Sequence, residues 1–166
     1  TGRNDWSSTL PRENRSFFYP SVNLGVVFTE VVDVPDFLSY GKVRASYAEV
    51  GKDAPPYSTA ITYTAPSKFP LNGVVGFSRN STFGTPDLKP ERTSSVELGA
   101  DLRFWNNRLS LDFTWYQQNS RDQIISVPVS NATGFTRLIT NAGEIENQGI
   151  ELILGGTPIQ DGDFSW

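Results

Sequence analysis

Few side chains in this chain of 166 residues could carry acid–base or nucleophilic chemistry. The chain has no Cys and no His, which excludes disulfides, thiolate metal sites, the Ser-His-Asp triad and most zinc sites. The carboxylates are scattered, and no spacing selects a catalytic pair over the pairs that chance provides. The sequence therefore predicts no enzyme, no cofactor and no metal site. The formal net charge of −4 also argues against a nucleic-acid partner.

A polar stretch between residues 52 and 92, rich in Pro, Ser, Thr and Gly, holds the candidate binding residues. Loops longer than about 15 residues are uncommon unless they are functional. Aromatic rings with polar neighbours suit sugar or peptide binding by stacking and hydrogen bonds. The alternative is that these rings only pack the loop against its surroundings. The candidates are Tyr57, Tyr63, Phe69, Phe77, Arg79 and Phe83.

A predicted β-hairpin between residues 93 and 118 must position the other polar side chains. Apolar and polar residues alternate on both sides of Asn106-Asn107, and this period of two indicates half-buried strands. Asn tolerates the positive φ that a two-residue turn demands. If Trp105 faces Arg108, all apolar residues share one face, and a slip of one residue would destroy the match. The apolar face includes Leu98, Leu102, Leu111 and Phe113, and the polar face includes Glu97, Asp101, Arg103, Asp112 and Tyr116.

This register also sets Asp101 directly opposite Asp112 on the polar face. Like charges opposite each other destabilise a strand pair, so we expect a cation close by, and Arg bridges carboxylates better than Lys. The candidates are Arg103, a diagonal neighbour of Asp112, and Arg44, on the strand that precedes the hairpin. We predict that one of these guanidiniums lies within salt-bridge distance of Asp101 or Asp112. The alternative is that surrounding water screens the repulsion.

Further strands and connections follow from the same period and from turn residues. Strands are predicted at 21–28, 40–50, 93–105, 108–118 and 150–154, with the second hairpin strand extending as far as 129 and another strand starting at 164. The connections alternate between long (3–16, 52–92, 131–147) and short (31–39, 106–107, 158–163). No run approaches the roughly 20 apolar residues of a transmembrane helix. The alternation is typical of bacterial β-barrels.

Sheets with one polar and one apolar face occur in soluble sandwiches and in transmembrane barrels. Hydrophobic residues make up 37% and aromatic residues 13% of the chain. This balance favours a barrel, in which only alternate strand residues meet lipid. Aromatic residues near predicted strand ends are then expected to form interfacial girdles. They are Phe17, Phe18, Tyr19, Phe28, Tyr40, Phe104, Trp105, Trp115 and Tyr116.

Five stretches of the chain resemble SusC/RagA-type TonB-dependent outer-membrane receptors, in the order that this family uses. They are RNDWSSTLP (3–11), FFYPSVNLGVVFTE (17–30), LSYGKVRASYAEVG (38–51), LKPERTSSVELGADLRFWNNRLSLDFTWYQQNSRDQI (88–124) and NAGEIENQGIELILGGTPI (141–159). The resemblance is weakest over 52–86. It implies an all-β fragment of a large antiparallel transmembrane β-barrel, with about five spanning strands and the start of a sixth. Residues 1–166 would belong to the C-terminal half of the barrel domain, truncated at both ends.

The resemblance also implies a function, which is active import of glycans or oligopeptides across a bacterial outer membrane. The barrel would have about 22 strands and a plugged lumen. The implied partners are the rest of the barrel and its plug, TonB acting through that plug, a SusD-like surface lipoprotein and outer-membrane lipid. Asn106-Asn107 would be periplasmic and residues 52–92 would lie at the cell surface. A soluble β-sandwich carbohydrate-binding module is the alternative.

The two faces of the hairpin then receive different roles. The apolar residues Leu98, Leu102, Leu111 and Phe113 are expected to face lipid. The polar side chains are expected to line the lumen wall; they are Arg44, Glu97, Asp101, Arg103, Asp112 and Tyr116.

Overall fold

The computed structural model describes residues 1–67, 70, 72–157, 160–161 and 164–165. Stretches in which apolar and polar residues alternate, separated by turn residues, produce an all-β chain. Short 3-10 segments lie at Phe28–Glu30 and Asn131–Thr133. The strands in chain order are β1 (Gly2–Trp6), β2 (Ser16–Val27), β3 (Leu38–Lys52), β4 (Tyr63–Thr64), β5 (Ser78–Arg79), β6 (Thr82–Phe83), β7 (Glu91–Phe104), β8 (Leu109–Arg121), β9 (Ile124–Pro128), β10 (Arg137–Asn141), β11 (Ile145–Gly156), β12 (Gln160–Asp161) and β13 (Phe164–Ser165). Among the described residues, no helix has the length and apolar character to cross a membrane.

The main sheet has six strands in the order β1-β2-β3-β7-β8-β11, and every neighbouring pair is antiparallel. Five of them have 12 to 15 residues, more than the 9–11 or so that a tilted strand needs to cross a bilayer. The two longest connections, at 53–90 and 122–144, lie at one end of this sheet, which we call the long-connection end, together with the shorter connection at 7–15. Those at 28–37 and 105–108 lie at the other. The predicted antiparallel sheet of five long strands is confirmed.

The predicted register of the central hairpin is confirmed residue by residue. Leu102 pairs with Leu111 and Asp101 pairs with Asp112. Asn106 and Asn107 both have positive φ, as a two-residue turn requires, and the Arg108 N–H donates to the Trp105 carbonyl. The turn also includes Trp105 in the left-handed region, with φ 51°, so β7 ends at Phe104. The Trp105 N–H donates instead to the Phe37 carbonyl beside β3.

Several predicted boundaries are wrong. The predicted loop at 3–16 contains β1, and the β2 strand begins at Ser16 rather than Ser21. Phe28 belongs to a 3-10 segment and not to a strand. The strand predicted to run as far as 129 ends at Arg121, because Asp122 adopts φ 55° and the chain leaves the main sheet. The predicted loop at 131–147 contains β10 and the first residues of β11.

The predicted turn at 158–163 and the strand predicted to start at 164 lie at the C-terminal end of the chain. Pro158, Ile159, Gly162, Asp163 and Trp166 lie outside the described residues. Within the predicted turn at 158–163, Gln160 and Asp161 form β12, which pairs with β13. A strand at 164–165 is therefore present, as predicted.

The main sheet has one continuous apolar face. A row across five strands consists of Leu24, Ala45, Leu98, Trp115 and Ile150, and the next row consists of Val26, Val43, Ala100, Phe113 and Leu152. Leu24 is 63% exposed and Leu152 is 57% exposed. Among the described residues, no second layer packs on this face. A soluble sandwich would cover such a surface, so this alternative is not favoured.

The buried residues cluster at the long-connection end of the sheet. Leu10, Phe17, Ala54 and Leu88 form the cluster, and Tyr19, Ile124 and Ile139 pack against it. Phe17 and Tyr19 belong to the part of β2 that pairs with β1. The cluster therefore joins the connections of this end to the start of β2.

Only some of the aromatic residues predicted to form a girdle lie at strand ends. Phe17 and Phe18 lie at the start of β2, directly after Ser16, and Phe104 ends β7. Trp115 and Tyr116, however, lie in the middle of β8, so their placement near a strand end is wrong. The error arose because β8 extends to Arg121 and is longer than the apolar alternation that marks its first half.

Candidate lumen wall and loop cavity

The polar face of the main sheet is organised around Arg44. Its Nη2 donates to Asp112 Oδ1 and to Thr114 Oγ1, each at 2.7 Å. Arg44 is on β3 and both acceptors are on β8, so the side chain crosses β7 at Gly99, the residue that pairs with Arg44 and with Thr114. A Cβ at Gly99 would lie 2.2 Å from Arg44 Nε. The predicted ion pair therefore forms, and the missing side chain at Gly99 makes it possible.

The second predicted cation also lies beside a carboxylate. Arg103 Nη2 is 3.6 Å from Asp101 Oδ2, and its guanidinium lies over the Tyr40 ring, 4.9 Å from the centroid. Lys42 pairs with Asp101 on the other side. Each of the opposed carboxylates thus has its own Arg, which offsets the repulsion that their pairing creates.

Glu97 and Tyr116 complete the predicted polar set. They pair directly across β7 and β8, and Ser46 pairs with Glu97 from β3. The Tyr116 ring lies over Gly149 of β11, where an added Cβ would be 2.6 Å from the hydroxyl. The structure therefore brings all six predicted residues, from Arg44 to Tyr116, onto one face.

The long connections form a small sheet of their own, in the order β6-β10-β9. The Phe83 ring meets the Phe135 ring edge-on at a centroid distance of 5.0 Å. The Arg79 guanidinium lies 4.2 Å from the Phe135 centroid and donates to the Gly134 carbonyl. Phe83 and Phe135 also line a mostly apolar cavity of about 340 Å³ with Val129, Thr133 and Leu138. Phe83 and Arg79 therefore have packing partners.

A second and larger cavity, of about 740 Å³, lies between residues 55–64 and the small sheet. Tyr57 and Tyr63 both line it, and they are 76% and 64% exposed. Polar side chains in its wall are Ser58, Thr62, Thr64, Asn80 and Thr82. We call this space the tyrosine cavity.

The six loop candidates thus separate into groups. Tyr57 and Tyr63 share the tyrosine cavity, while Phe83 and Arg79 contact Phe135. Phe77 is 68% exposed and lines neither cavity. Phe69 lies outside the described residues. Sequence reasoning missed Asn80 and Phe135. The pairing of β4 with β5 brings Asn80 beside Thr62, and the pairing of β6 with β10 brings Phe135 beside Phe83.

A charged group also ties β8 to the start of β11 at the long-connection end. Asn119 Nδ2 and Arg121 Nε donate to Glu144 Oε1 at 2.7 and 3.0 Å. The hydrogen bond from Asn119, followed by that from Arg121, lowers the pKa of the Glu144 carboxyl. Glu144 directly precedes β11, so this group closes the connection at 122–144.

Comparisons with known proteins agree with this architecture. The chain is 30% identical to TonB-dependent receptor P3 of Formosa agariphila, over 100% of this chain and 17% of that protein. It is 27% identical to TonB-dependent receptor SusC of Bacteroides thetaiotaomicron, again over 100% of this chain and 17% of that protein. The structure of the RagAB peptide transporter matches with a TM-score of 0.84 and 30% identity, covering 99% of this chain and 18% of that one.

The coverage of the relatives and a match to a family model complete the comparison. This chain spans about a sixth of the length of the curated relatives it matches. The family described as TonB dependent receptor-like, beta-barrel, matches over residues 1–166. The chain therefore belongs to the TonB-dependent receptor β-barrel family.

Proposed function

We propose that residues 1–166 form part of the barrel wall of an outer-membrane active transporter that imports glycans or oligopeptides. The observation that carries this proposal is the apolar face of the main sheet, which runs across five strands and remains uncovered. In water such a face would be an aggregation hazard, whereas lipid solvates it. Leu98, Leu102, Leu111 and Phe113 are the lipid-facing residues of the central hairpin in this proposal.

The polar face is then the lumen wall. Its ion pairs, Arg44 with Asp112 and Arg103 with Asp101, suit a water-filled channel, where charges remain hydrated. An open sheet edge is not tolerated in lipid, so β1 and β11 pair with other strands of the full barrel. No catalytic step is assigned to any residue of this wall.

The partners follow from the same proposal. Energy comes from TonB, acting through a plug domain in the lumen, and a SusD-like surface lipoprotein covers the long-connection end. This part of the proposal is supported by the similarity to SusC and to the RagAB transporter. The connections at 53–90 and 122–144 are then extracellular, and the turn at Asn106-Asn107 is periplasmic, because bacterial barrels keep their long loops outside.

Labelling of single cysteines on intact cells tests this orientation. These 166 residues contain no Cys, so Ser67→Cys and Asn107→Cys add unique thiols in the two classes of connection. We expect an impermeant maleimide to label Ser67→Cys on whole cells, and Asn107→Cys only after the outer membrane is permeabilised. Labelling of Asn107→Cys but not Ser67→Cys on intact cells would contradict the orientation. Recovery of the full-length protein in the soluble fraction would contradict the transporter proposal itself.

A further inference from the structure

The tyrosine cavity has the size of a ligand site, and its wall combines polar and apolar groups. Its volume of about 740 Å³ lies within the range of about 300–1,000 Å³ that small-molecule sites occupy. Among the described residues that line it, none carries a formal charge. The wall instead presents hydroxyl and amide groups beside two exposed phenol rings.

Local contacts hold the wall of the tyrosine cavity in shape. The Asn80 N–H donates to the Thr62 carbonyl at 2.9 Å, and its side chain donates to Thr62 Oγ1 at 3.3 Å. Gly84 allows the 58–60 segment to pack closely, since an added Cβ would lie 2.6 Å from the Ser58 carbonyl. Ser58 itself is only 3% exposed. The rings therefore project from a segment that is fixed before any ligand arrives, which lowers the entropic cost of binding.

The backbone at Tyr57 is a second, independent observation. Its φ is 63°, a left-handed conformation that a bulky aromatic residue seldom adopts. The Ala60 N–H donates to the Tyr57 carbonyl at 3.3 Å, which closes a tight turn and leaves the Tyr57 ring exposed at the cavity. Gly or Asn would suit this backbone better. Strain of this kind is concentrated at ligand-binding positions.

The charge distribution around the cavity favours an uncharged ligand. A carboxylate entering this space would lose water without gaining a cation from the described residues of the wall, which is costly. Arg79 is the cross-strand partner of Tyr63, but its guanidinium stacks on Phe135 and donates to the Gly134 carbonyl. Peptides with charged ends face the same penalty. A sugar ring, by contrast, offers an apolar face for stacking and hydroxyl groups for Thr62, Thr64 and Asn80.

We propose that the tyrosine cavity is a recognition site for uncharged sugar residues, in which Tyr57 and Tyr63 stack on the sugar and the polar wall binds its hydroxyls. The site discriminates against acidic saccharides and against peptides. This inference rests on the proposed import function and narrows its cargo from two classes to one.

Calorimetric titration of the full-length receptor, purified in detergent from the outer-membrane fraction, tests this proposal. The neutral probes are maltohexaose, cellohexaose and mannohexaose. Hexamannuronate is the matched acidic probe, because it differs from mannohexaose only by carboxylates at C6, and a tryptic digest of casein is the peptide probe. We expect at least one neutral hexasaccharide to bind and the acidic and peptide probes not to bind.

The variants Tyr57→Asn and Tyr63→Thr connect that binding to the cavity. Asn tolerates the positive φ at 57 and Thr suits the strand at 63, so both variants remove a ring while keeping the backbone. We expect each to weaken saccharide binding about tenfold. Phe77→Ala, which removes an exposed ring of the same connection outside both cavities, leaves the affinity unchanged.

Three results would overturn the inference. They are no binding by any neutral hexasaccharide, equal binding of hexamannuronate and mannohexaose, or a saccharide affinity that neither Tyr variant reduces. Loss of peptide binding in the Tyr variants would assign the cavity to peptides instead. All of these outcomes leave the proposed transporter intact, because the receptor is first recovered from the outer membrane. Its absence from that fraction would contradict the proposed function.

Discussion

The guanidinium of Arg44 on β3 contacts the carboxylate of Asp112 on β8, with 2.7 Å between Nη2 and Oδ1, although β7 lies between the two strands. Side chains normally pair with the adjacent strand. Here Gly99 opens the path, because it pairs with Arg44 and has no Cβ to block the side chain. This single contact therefore involves three strands of the proposed lumen wall.

Gly99→Ala should break this contact without breaking the sheet. An added Cβ would lie 2.2 Å from Arg44 Nε, and the flexible side chain would swing away. Because both charged groups are partly exposed, we expect the lost pair to cost at most about 1 kcal/mol. The measurement is a double-mutant cycle of unfolding free energies, with Gly99→Ala made in the wild-type and Arg44→Ala backgrounds.

The cycle separates the lost contact from the intrinsic effect of replacing Gly in a strand. Gly25→Ala is the matched control, since Gly25 pairs with the other side of Arg44 and its Cβ would meet only the end of Lys42. Equal effects of Gly99→Ala in both backgrounds would refute the role of Gly99.

Leu98 and Glu97 are adjacent residues near the middle of β7 that point to opposite faces. If Leu98 faces lipid, Leu98→Arg should reduce the unfolding free energy by about 2–4 kcal/mol near the midplane. Glu97→Arg should change it by less than about 0.5 kcal/mol, because the group remains in the aqueous lumen. Urea unfolding of the full-length barrel in liposomes measures both. Comparable losses of unfolding free energy in the two variants would show that both faces of the sheet meet the same solvent.

The fold could be predicted from sequence wherever apolar and polar residues alternate strictly along a strand and a turn residue sets the register of its pairing. The central hairpin met both conditions, and its pairing of Asp101 with Asp112 is the predicted one. The β1 strand met neither, because GRNDW has no apolar alternation and its order comes from pairing with β2. The end of β8 depends on the positive φ of Asp122, which Asp adopts too rarely for sequence to indicate it.

The candidate site was less predictable because it is assembled from distant segments. The polar face followed from the register, which put Arg44 near Asp112. The contribution of Gly99 depends on a side chain that is absent, and sequence alone gave it no role. In the loops, composition selected Tyr57 and Tyr63, yet their cavity and the separate packing of Phe83 become visible only through the pairings of β4 with β5 and of β6 with β10.

The contact between Glu144 and Arg121 predicts a pH dependence at the junction of β8 and β11. Hydrogen bonds from Asn119 and Arg121 lower the pKa of Glu144 in the folded state. The stabilisation is therefore present above the ordinary Glu pKa of 4.5 and is lost as the pH falls through the lower, folded-state value. Glu144→Gln should remove it.

Hydrogen exchange of the amides around Ser120 and Ile145, which pair across this junction, measures the effect. We expect Glu144→Gln to exchange faster than wild type at pH 7, with the difference disappearing at the acid end of the titration. Glu30→Gln, in a short connection at the other end of the sheet, controls for the loss of one carboxylate. A difference that persists or grows as the pH falls would contradict the expected sign.

The most direct test of the central claim is a spin-label scan along β8 of the full-length receptor in liposomes. Leu111, Asp112, Phe113 and Thr114 are replaced one at a time by Cys and labelled, and collision rates with O₂ and with a water-soluble nickel chelate are recorded. Because O₂ concentrates in lipid, labels at 111 and 113 should collide with O₂, and labels at 112 and 114 with the chelate. Collision rates that alternate in this way from one position to the next support a barrel wall with an apolar face in lipid and a polar lumen. Equal accessibility at all four positions, or the opposite order, would contradict it.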